Sequence, residues 1–261
     1  MKSKIAPIFL FIYALVLSQE KINISYLDSI SCKNKTIYEI NTAHIYYSKN
    51  NVFYKKSTEN ELTFTAISLG NLTHVDLYNP LQIVLFYKDF NTIILLDRQL
   101  NETHRIEGNK METILNFDTV GLASQNQIWF YDFISQKIGL YQLTSNTHKF
   151  ISTPLTRKIV HYSTDYNYFY WIDEENTLFR ISIFGSIQSF GKVLSYDAIQ
   201  ILTEESYLFT RKNHLYFYKG KENKQYEISI SQNSFDKFYY KNGILSIFTA
   251  DKVINYKILL P

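Results

Sequence analysis

The sequence predicts an all-β protein built from six repeated units of four antiparallel strands each. Three observations support this prediction. Aromatic residues make up 16% of the 261-residue chain, and aromatic side chains favour the pleated, half-buried surface of a sheet. Glycine and proline contribute only 8 and 4 residues, which argues against collagen-like, linker-like or proline-rich structure. An apolar–aromatic hairpin motif also recurs about every 40 residues.

Each repeat contains two apolar–aromatic strands joined by a short polar turn. The second strands begin near positions 51, 93, 137, 177, 214 and 252, at intervals of 42, 44, 40, 37 and 38 residues. The rest of each repeat has room for two shorter strands and shows no helical periodicity. The six predicted hairpins span residues 44–54, 83–97, 127–141, 168–181, 207–218 and 244–256.

Four antiparallel strands in about 40 residues, repeated in tandem, are typical of a β-propeller blade. The last unit stops at Pro261, directly after its third strand, whereas residues 22–30 precede the first unit as a spare alternating strand. An N-terminal strand that completes the last blade would close the ring and cover two sheet edges. We therefore predict a six-bladed β-propeller of four-stranded antiparallel blades, closed by an N-terminal strand. Seven blades would need a unit that the chain lacks, and a β-sandwich does not require this period.

Segments 86–90, Phe-Tyr-Lys-Asp-Phe, and 130–133, Phe-Tyr-Asp-Phe, carry a resemblance to known proteins. In blade style the chain resembles NHL-type and related extracytoplasmic propellers over nearly all of its length after residue 18. It lacks the Gly-His and Trp-Asp pairs of one large propeller family, the paired glycines of kelch blades and the Ser-x-Asp-x-Gly-x-x-Trp boxes of sialidases. No catalytic residue is carried over from these families.

Residues 1–18 have the features of a secretory signal peptide. Lys2 and Lys4 precede an apolar run over 5–17, and Ser18 ends a cleavage site. The run is shorter than the roughly 20 residues that a transmembrane helix needs. We expect residues 19–261 to form one propeller domain, exported to the periplasm, the outer membrane or the medium, with no transmembrane segment. The composition and the Leu-Ser-Gln-Glu junction resemble exported proteins of Bacteroidetes.

The candidate ligand-binding residues lie on or beside the first strand of four units, where a propeller's channel mouth is expected. Asp76, Asp118 and Asp197 recur at about the same distance before the next hairpin's second strand, and equivalent placement would put one carboxylate per blade around the channel. Three further polar residues lie close by in sequence: His74, Asn116 and His161.

An oxygen-rich ring of this kind suits Ca²⁺ or paired carboxylates for acid–base chemistry. The alternative, which we favour, is that these aspartates accept hydrogen bonds from backbone amides in tight turns. Crowded carboxylates would repel one another, so a true ring would need a bound cation. We therefore predict no obligatory cofactor, with Ca²⁺ as the one cation to test, and no histidine or cysteine spacing indicates a zinc site.

The aromatic residues are expected to serve mainly in packing between blades, Trp129 and Trp171 among them. Strand alternation requires some rings of the pairs 46–47 and 239–240 and of the run 162–170 to face solvent or the channel mouth. The single cysteine, Cys32, excludes an internal disulfide and has no neighbour that would activate its thiol.

The function predicted from the sequence is a binding or scaffold module for a protein or glycan partner in the bacterial envelope, monomeric and without a nucleic-acid partner. The formal charge of +3 is too small to indicate a polyanionic partner. The alternative is a periplasmic hydrolase or lyase that uses the channel-mouth carboxylates, with or without Ca²⁺. The sequence contains no nucleophile elbow, phosphate loop or dinucleotide fingerprint, which favours binding over catalysis.

Overall fold

The structure, a computed structural model, describes residues 21–41, 43–231 and 234–261. Six sheets, each with four antiparallel strands, follow one another along the chain and form a ring, so the protein is a six-bladed β-propeller and the predicted fold class is confirmed. The predicted signal peptide, residues 1–18, lies outside the described residues. In the part of the chain that the structure covers, no helix is long and apolar enough to cross a membrane.

Two strands, β1 (Lys21–Ile22) and β2 (Ser25–Ser31), precede the first blade. Blades 1 to 3 each run from the innermost to the outermost strand in chain order. Blade 1 comprises β3 (Thr36–Ile40), β4 (Ile45–Lys49), β5 (Val52–Lys56) and β6 (Glu61–Thr65). Blade 2 comprises β7 (His74–Asp76), β8 (Ile83–Tyr87), β9 (Thr92–Leu96) and β10 (Glu102–Glu107). Blade 3 comprises β11 (Phe117–Ala123), β12 (Gln127–Asp132), β13 (Lys137–Gln142) and β14 (Thr147–Phe150).

The other three blades follow the same order. Blade 4 comprises β15 (Ile159–Thr164), β16 (Tyr168–Asp173), β17 (Thr177–Ser182) and β18 (Ile187–Lys192). Blade 5 comprises β19 (Ala198–Thr203), β20 (Ser206–Arg211), β21 (His214–Lys219) and β22 (Lys224–Ile228). Blade 6 begins with β23 (Lys237–Lys241), β24 (Ile244–Phe248) and β25 (Lys252–Lys257). Within the described ranges, four short 3₁₀ turns lie between strands, at Ile67–Leu69, Lys88–Phe90, Gly108–Lys110 and Gly220–Glu222.

The ring is closed by the N-terminal segment, as the sequence predicts. Strand β2 pairs antiparallel with β25 and is the outermost strand of blade 6, with Ser31 opposite Lys252. The segment also does something that the sequence did not predict. Strand β1 pairs parallel with β22, with Ile22 opposite Ile228, and gives blade 5 a fifth strand. The predicted spare strand is therefore divided between two blades and covers the outer edge of both.

The core consists of six apolar clusters, each built from two neighbouring blades. Trp129 and Trp171 both lie in the cluster between blades 3 and 4, which confirms the predicted packing role of these rings. The Trp129 indole N–H also donates a hydrogen bond to the Asp165 carbonyl oxygen at 2.8 Å. Because every blade shares its apolar faces with two others, the ring is stabilised as a whole rather than blade by blade.

Asparagine takes the place of glycine in many of the turns. Asn50 and Asn51 at the β4–β5 turn both have positive φ, and so do Asn213 at the β20–β21 turn and Asn242 before Gly243. Two-residue hairpins need left-handed backbone, which asparagine tolerates better than other side chains. The scarcity of glycine is thus compatible with many tight turns.

One glycine is required by close packing around the channel. Gly121 on β11 faces Thr164 on β15, and a β-carbon at position 121 would overlap the threonine side chain. The innermost strands of blades 3 and 4 therefore approach more closely than two side chains would allow.

Candidate functional site

The propeller has two faces that differ in the loops that they carry. One face is the side of the ring where the innermost strands begin, and we call it the connection face. It carries the turns between second and third strands and the links from one blade to the next. The opposite side, the hairpin face, carries the turns between first and second and between third and fourth strands. On the connection face lie the turns 50–51, 88–91, 133–136, 174–176, 212–213 and 249–251 and the links 66–73, 108–116, 151–158 and 193–197.

Asp76 is a buried carboxylate at the end of β7, and it binds two backbone amides. Its Oδ1 accepts a hydrogen bond from the Tyr78 N–H at 2.8 Å, within the following turn. Its Oδ2 accepts one from the Leu122 N–H at 2.7 Å, on the innermost strand of the next blade. Asp76 therefore both caps a turn and joins blade 2 to blade 3.

Asp118, Asp197 and Asn116 lie at the connection face, each held by a local contact. Asp118 sits in a bulge near the start of β11 and forms an ion pair with Lys88. The exposed Asp197 precedes β19, and its Oδ2 accepts a hydrogen bond from the Lys212 N–H at 2.8 Å. Asn116 precedes β11, and its backbone N–H donates to an Asp132 side-chain oxygen at 2.6 Å.

The equal sequence spacing of the three aspartates does not correspond to an equal depth in the ring. Asp76 pairs opposite Val84, near the hairpin-face end of its blade, whereas Asp118 and Asp197 lie at the connection face. The cause is the first turn of each blade, which spans 77–82 in blade 2 and only 124–126 in blade 3. The three aspartates lie at similar sequence distances before the later strands of their blades. In blade 2 more of that distance belongs to the turn and less to the first strand, so Asp76 lies closer to the hairpin face.

The two candidate histidines are partly buried on innermost strands. Burial lowers the pKa of His161, on β15, to about 4. Burial also lowers the pKa of His74, on β7, and the nearby Lys237 acts in the same direction while Asp76 opposes it. Both side chains are therefore neutral imidazoles near pH 7.

The channel also contains a charged pair that sequence reasoning missed. Lys241, at the end of β23, lies 2.7 Å from Glu39 Oε2 on β3 and donates a second hydrogen bond to the Leu77 carbonyl oxygen at 3.0 Å. The Glu39 side chain is only 5% exposed. These contacts join blades 6, 1 and 2. In the sequence, Glu39 and Lys241 are charged residues within strands that are otherwise mainly apolar or aromatic, but the two are far apart along the chain.

Two tyrosines of the predicted channel-facing set lie among these groups. The Tyr162 ring centroid is 5.6 Å from that of His74, and the Tyr162 hydroxyl donates to the Val120 carbonyl oxygen at 3.4 Å. Burial, followed by the charge of Asp76, raises the pKa of Tyr162. Burial and the Glu39 carboxylate raise that of Tyr239. Both therefore remain protonated near neutral pH and act as hydrogen-bonding groups.

Several polar side chains of the innermost strands, Glu39, Asp76 and Lys241 among them, are thus engaged in contacts between blades or within turns. Within the described ranges, no three histidine, cysteine, aspartate or glutamate residues are placed to hold a metal ion. Gln200 illustrates the pattern, because its side-chain amide makes two hydrogen bonds of 2.7 Å with the backbone N–H and carbonyl oxygen of Tyr240 on the next blade. Chemically, this arrangement is suited to holding six blades together.

The connection face carries a second feature, a set of large apolar side chains exposed to solvent. Ile67 is 82% exposed and Ile134 is 71% exposed, although both occur within folded turns or links. All members of the set lie on the connection face of blades 2 to 4 or on the link into blade 2. We call this set the apolar patch: Ile67, Phe90, Ile114, Phe133, Ile134 and Val160.

Direct contacts connect the segments that carry most members of the apolar patch. The link 66–73 contacts the turn 88–91, because a β-carbon at Gly70 would lie 3.2 Å from the Phe90 ring. Asn91 binds the Leu115 carbonyl oxygen in the next link, and the Phe133 N–H donates to the Asn116 carbonyl oxygen at 2.8 Å. The segments that carry five of the six members, all except Val160, therefore adjoin one another on the connection face.

Comparisons with known proteins identify the fold and nothing narrower. No protein-family profile and no curated protein matches this chain. Virginiamycin B lyase from Staphylococcus aureus is 14% identical with a TM-score of 0.58, over 92% of this chain and 96% of the lyase. The WD40 β-propeller domain of Doa1 is 11% identical with a TM-score of 0.58, over 92% and 93%. A Bacteroides thetaiotaomicron protein of unknown function is 11% identical with a TM-score of 0.57, over 93% and 74%.

Proposed function

We propose that this protein is an exported, non-catalytic binding module of the bacterial envelope that docks a protein partner on its connection face. The apolar patch is the observation that carries this proposal. Contiguous exposed apolar surface is uncommon on proteins that act alone and is typical of interaction sites. Export remains an expectation from residues 1–18.

The composition of the apolar patch favours a protein partner over a glycan. Its members are isoleucine, valine and phenylalanine, which suit the apolar centre of a protein–protein interface. Sugar-binding platforms use tyrosine and tryptophan, which combine a flat ring with a polar group, and the apolar patch contains neither. Neighbouring polar groups such as the Lys88–Asp118 ion pair are suited to the rim of an interface.

The competing function is a hydrolase or lyase that uses the channel-mouth carboxylates, and one protein of similar structure is a lyase. Asp118 is the carboxylate best placed for such chemistry, because it lies at the connection face and is about a quarter exposed. Acid–base chemistry needs a carboxylate that can reach a substrate proton, and Asp118 is engaged by Lys88. An activity that Asp118→Asn abolishes without loss of folding would favour this second function.

Site-specific photo-crosslinking tests the binding proposal. The full-length chain, expressed in its own host, carries a photoreactive amino acid in place of Phe133. We expect a discrete protein adduct from this position. The matched control carries the same group in place of Phe184, which is 86% exposed on the hairpin face, and it should give no such adduct.

A second variant tests whether the apolar patch itself provides the binding energy. This variant combines Phe133→Ser with Ile134→Ser and carries the crosslinker at position 114. It should give no adduct, while its melting temperature stays within a few degrees of that of the wild type. Both changes replace exposed side chains, so folding should be little affected. Equal adducts from both faces, or none from the connection face, would refute the proposal.

A further inference from the structure

A groove lies on the connection face between blades 6 and 1, where the ring is closed. It has a volume of about 700 Å³, within the range of pockets that hold small organic molecules. We call it the seam groove. Its walls come from the link between β2 and β3, the β4–β5 turn, the β24–β25 turn and the start of β23. The lining residues used below are Asn34, Lys35, Lys49, Asn50, Asn51 and Lys237.

The seam groove is positively charged. Lys35, Lys49 and Lys237 line it, and Asp236 is the one carboxylate among the described residues that line it. None of the three lysines forms an ion pair with a carboxylate of the described chain. Three lysines that have no carboxylate partner among the described residues line one concavity, and their positive charge attracts a negatively charged ligand.

Aromatic rings hold two of these ammonium groups in position. Lys35 Nζ lies 4.6 Å from the centroid of the Tyr47 ring, and Lys237 Nζ lies 5.3 Å from that of Phe248. Although Lys237 is exposed overall, the protein around the channel mouth desolvates its ammonium group and lowers its pKa. A bound anion would offset this cost, because it stabilises the charged form of the lysine.

Side-chain amides supply the second kind of binding group. Asn34, Asn50 and Asn51 have φ between 50° and 62° and line the seam groove from two tight turns. Their side chains form no hydrogen bond with other described residues. An asparagine amide donates and accepts hydrogen bonds, which suits the hydroxyl groups of a sugar.

We propose that the seam groove binds a small acidic sugar, whose carboxylate pairs with Lys35, Lys49 and Lys237 and whose hydroxyl groups bind the three asparagines. The volume exceeds what an inorganic anion needs and fits one or two sugar rings. This site is separate from the apolar patch, so it adds to the proposed function and does not rest on it.

Calorimetric titration of the full chain tests the proposal with four probes: digalacturonate, glucose 6-phosphate, inorganic phosphate and neutral cellobiose. We expect digalacturonate to bind most tightly and its affinity to fall as salt rises, because the attraction is partly electrostatic. Inorganic phosphate or cellobiose binding as tightly as digalacturonate would overturn the proposal. Preference for glucose 6-phosphate would also overturn it, because the ligand would then be a phosphorylated sugar rather than a carboxylated one.

Matched variants locate the site. Lys35→Gln and Lys237→Gln should each weaken digalacturonate binding about tenfold, roughly the loss of one charge-assisted contact. Lys158→Gln, an exposed lysine elsewhere on the connection face, should leave it unchanged. Amide chemical shifts of Asn50 and Asn51 should move on titration. Equal losses in all three variants, or no measurable digalacturonate binding at millimolar concentration, would overturn the proposal.

Discussion

Lys241 Nζ lies 2.7 Å from Glu39 Oε2 and joins the innermost strand of the last blade to that of the first. The residues are far apart in the chain and meet only because the ring closes. The pair closes the ring at its centre, and the N-terminal strand β2 closes it at the rim by pairing with β25.

Removal of the Lys241 ammonium should destabilise the ring. Lys241→Met leaves Glu39, whose side chain is 5% exposed, as an uncompensated buried charge. We expect a loss of about 2–3 kcal/mol in the free energy of unfolding, below the value for fully buried pairs because Lys241 is 30% exposed. Urea denaturation measures this change.

The control for this experiment is Lys88→Met, which breaks the more exposed pair with Asp118 and should cost less than about 1 kcal/mol. Adding Glu39→Gln to Lys241→Met should recover part of the loss, because the buried charge is removed. A Lys241→Met protein as stable as the wild type would contradict a structural role for the pair.

Asp76 should contribute more to stability than Asp197, which occupies the matching sequence position in blade 5. Asp76→Asn leaves one acceptor oxygen for two amide donors, the Tyr78 and Leu122 N–H groups. An unsatisfied buried donor costs about 1–3 kcal/mol, so thermal unfolding should begin at a clearly lower temperature. Asp197→Asn, at an exposed turn with one such bond, should cost under about 1 kcal/mol. Equal effects of the two variants would show that the difference in depth has no energetic consequence.

The propeller should lose stability in mild acid through the two partly buried histidines of its innermost strands. The folded pKa of His161 is about 4, below its ordinary 6.5. Between these values the unfolded chain binds a proton that the folded chain does not, so the free energy of unfolding falls as the pH falls. At pH 5 the His161 contribution amounts to a loss of about 2 kcal/mol. His74, whose pKa is also lowered, acts in the same direction.

Urea denaturation at pH 7.5 and pH 5 measures this loss. His161→Gln cannot take up the proton, so its loss between the two pH values should be smaller than that of the wild type. NMR titration of the His161 ring gives an independent value for the folded pKa. An identical loss in both proteins, with a ring pKa near 6.5, would contradict the prediction.

The N-terminal strand β2 should be essential for a closed monomer. A chain lacking residues 1–31 exposes the edge of β25 and opens the ring, so we expect aggregation or loss of a single cooperative transition. A chain lacking residues 1–24 keeps β2 and loses only β1, so it should remain monomeric with a moderate fall in melting temperature. Light scattering and circular dichroism distinguish the two outcomes, and equal behaviour of both truncated chains would refute this role of β2.

Several features of the fold follow from local sequence patterns. The hairpin repeat, the six blades and the closing strand were all predictable, because alternation of apolar side chains sets the strands and the 40-residue period sets the blades. The packing of Trp129 and Trp171 between blades was predictable for the same reason. The fifth strand of blade 5 was not, because a pairing as short as Lys21–Ile22 leaves no periodic signal.

The candidate site depended far more on tertiary structure. Asp76, Asp118 and Asp197 share a spacing in sequence, but a longer turn in blade 2 puts Asp76 at another depth. The exposed pair Phe133–Ile134 was present in the sequence between two strands, yet apolar residues in a turn resemble core residues until burial is known. The seam groove could not be inferred, since its lysines come from segments at opposite ends of the chain.

By itself, the sequence determined the architecture, because strand alternation and blade period are local properties that each repeat expresses independently. Only the tertiary structure decided which polar groups meet. Ring closure brings the first and last blades together whatever their separation along the chain. It places Lys241 beside Glu39, and it puts Lys35 and Lys237 in the lining of the same groove. Charge interactions depend on distance in space, and in a closed ring that distance is set by the blades rather than by sequence neighbours.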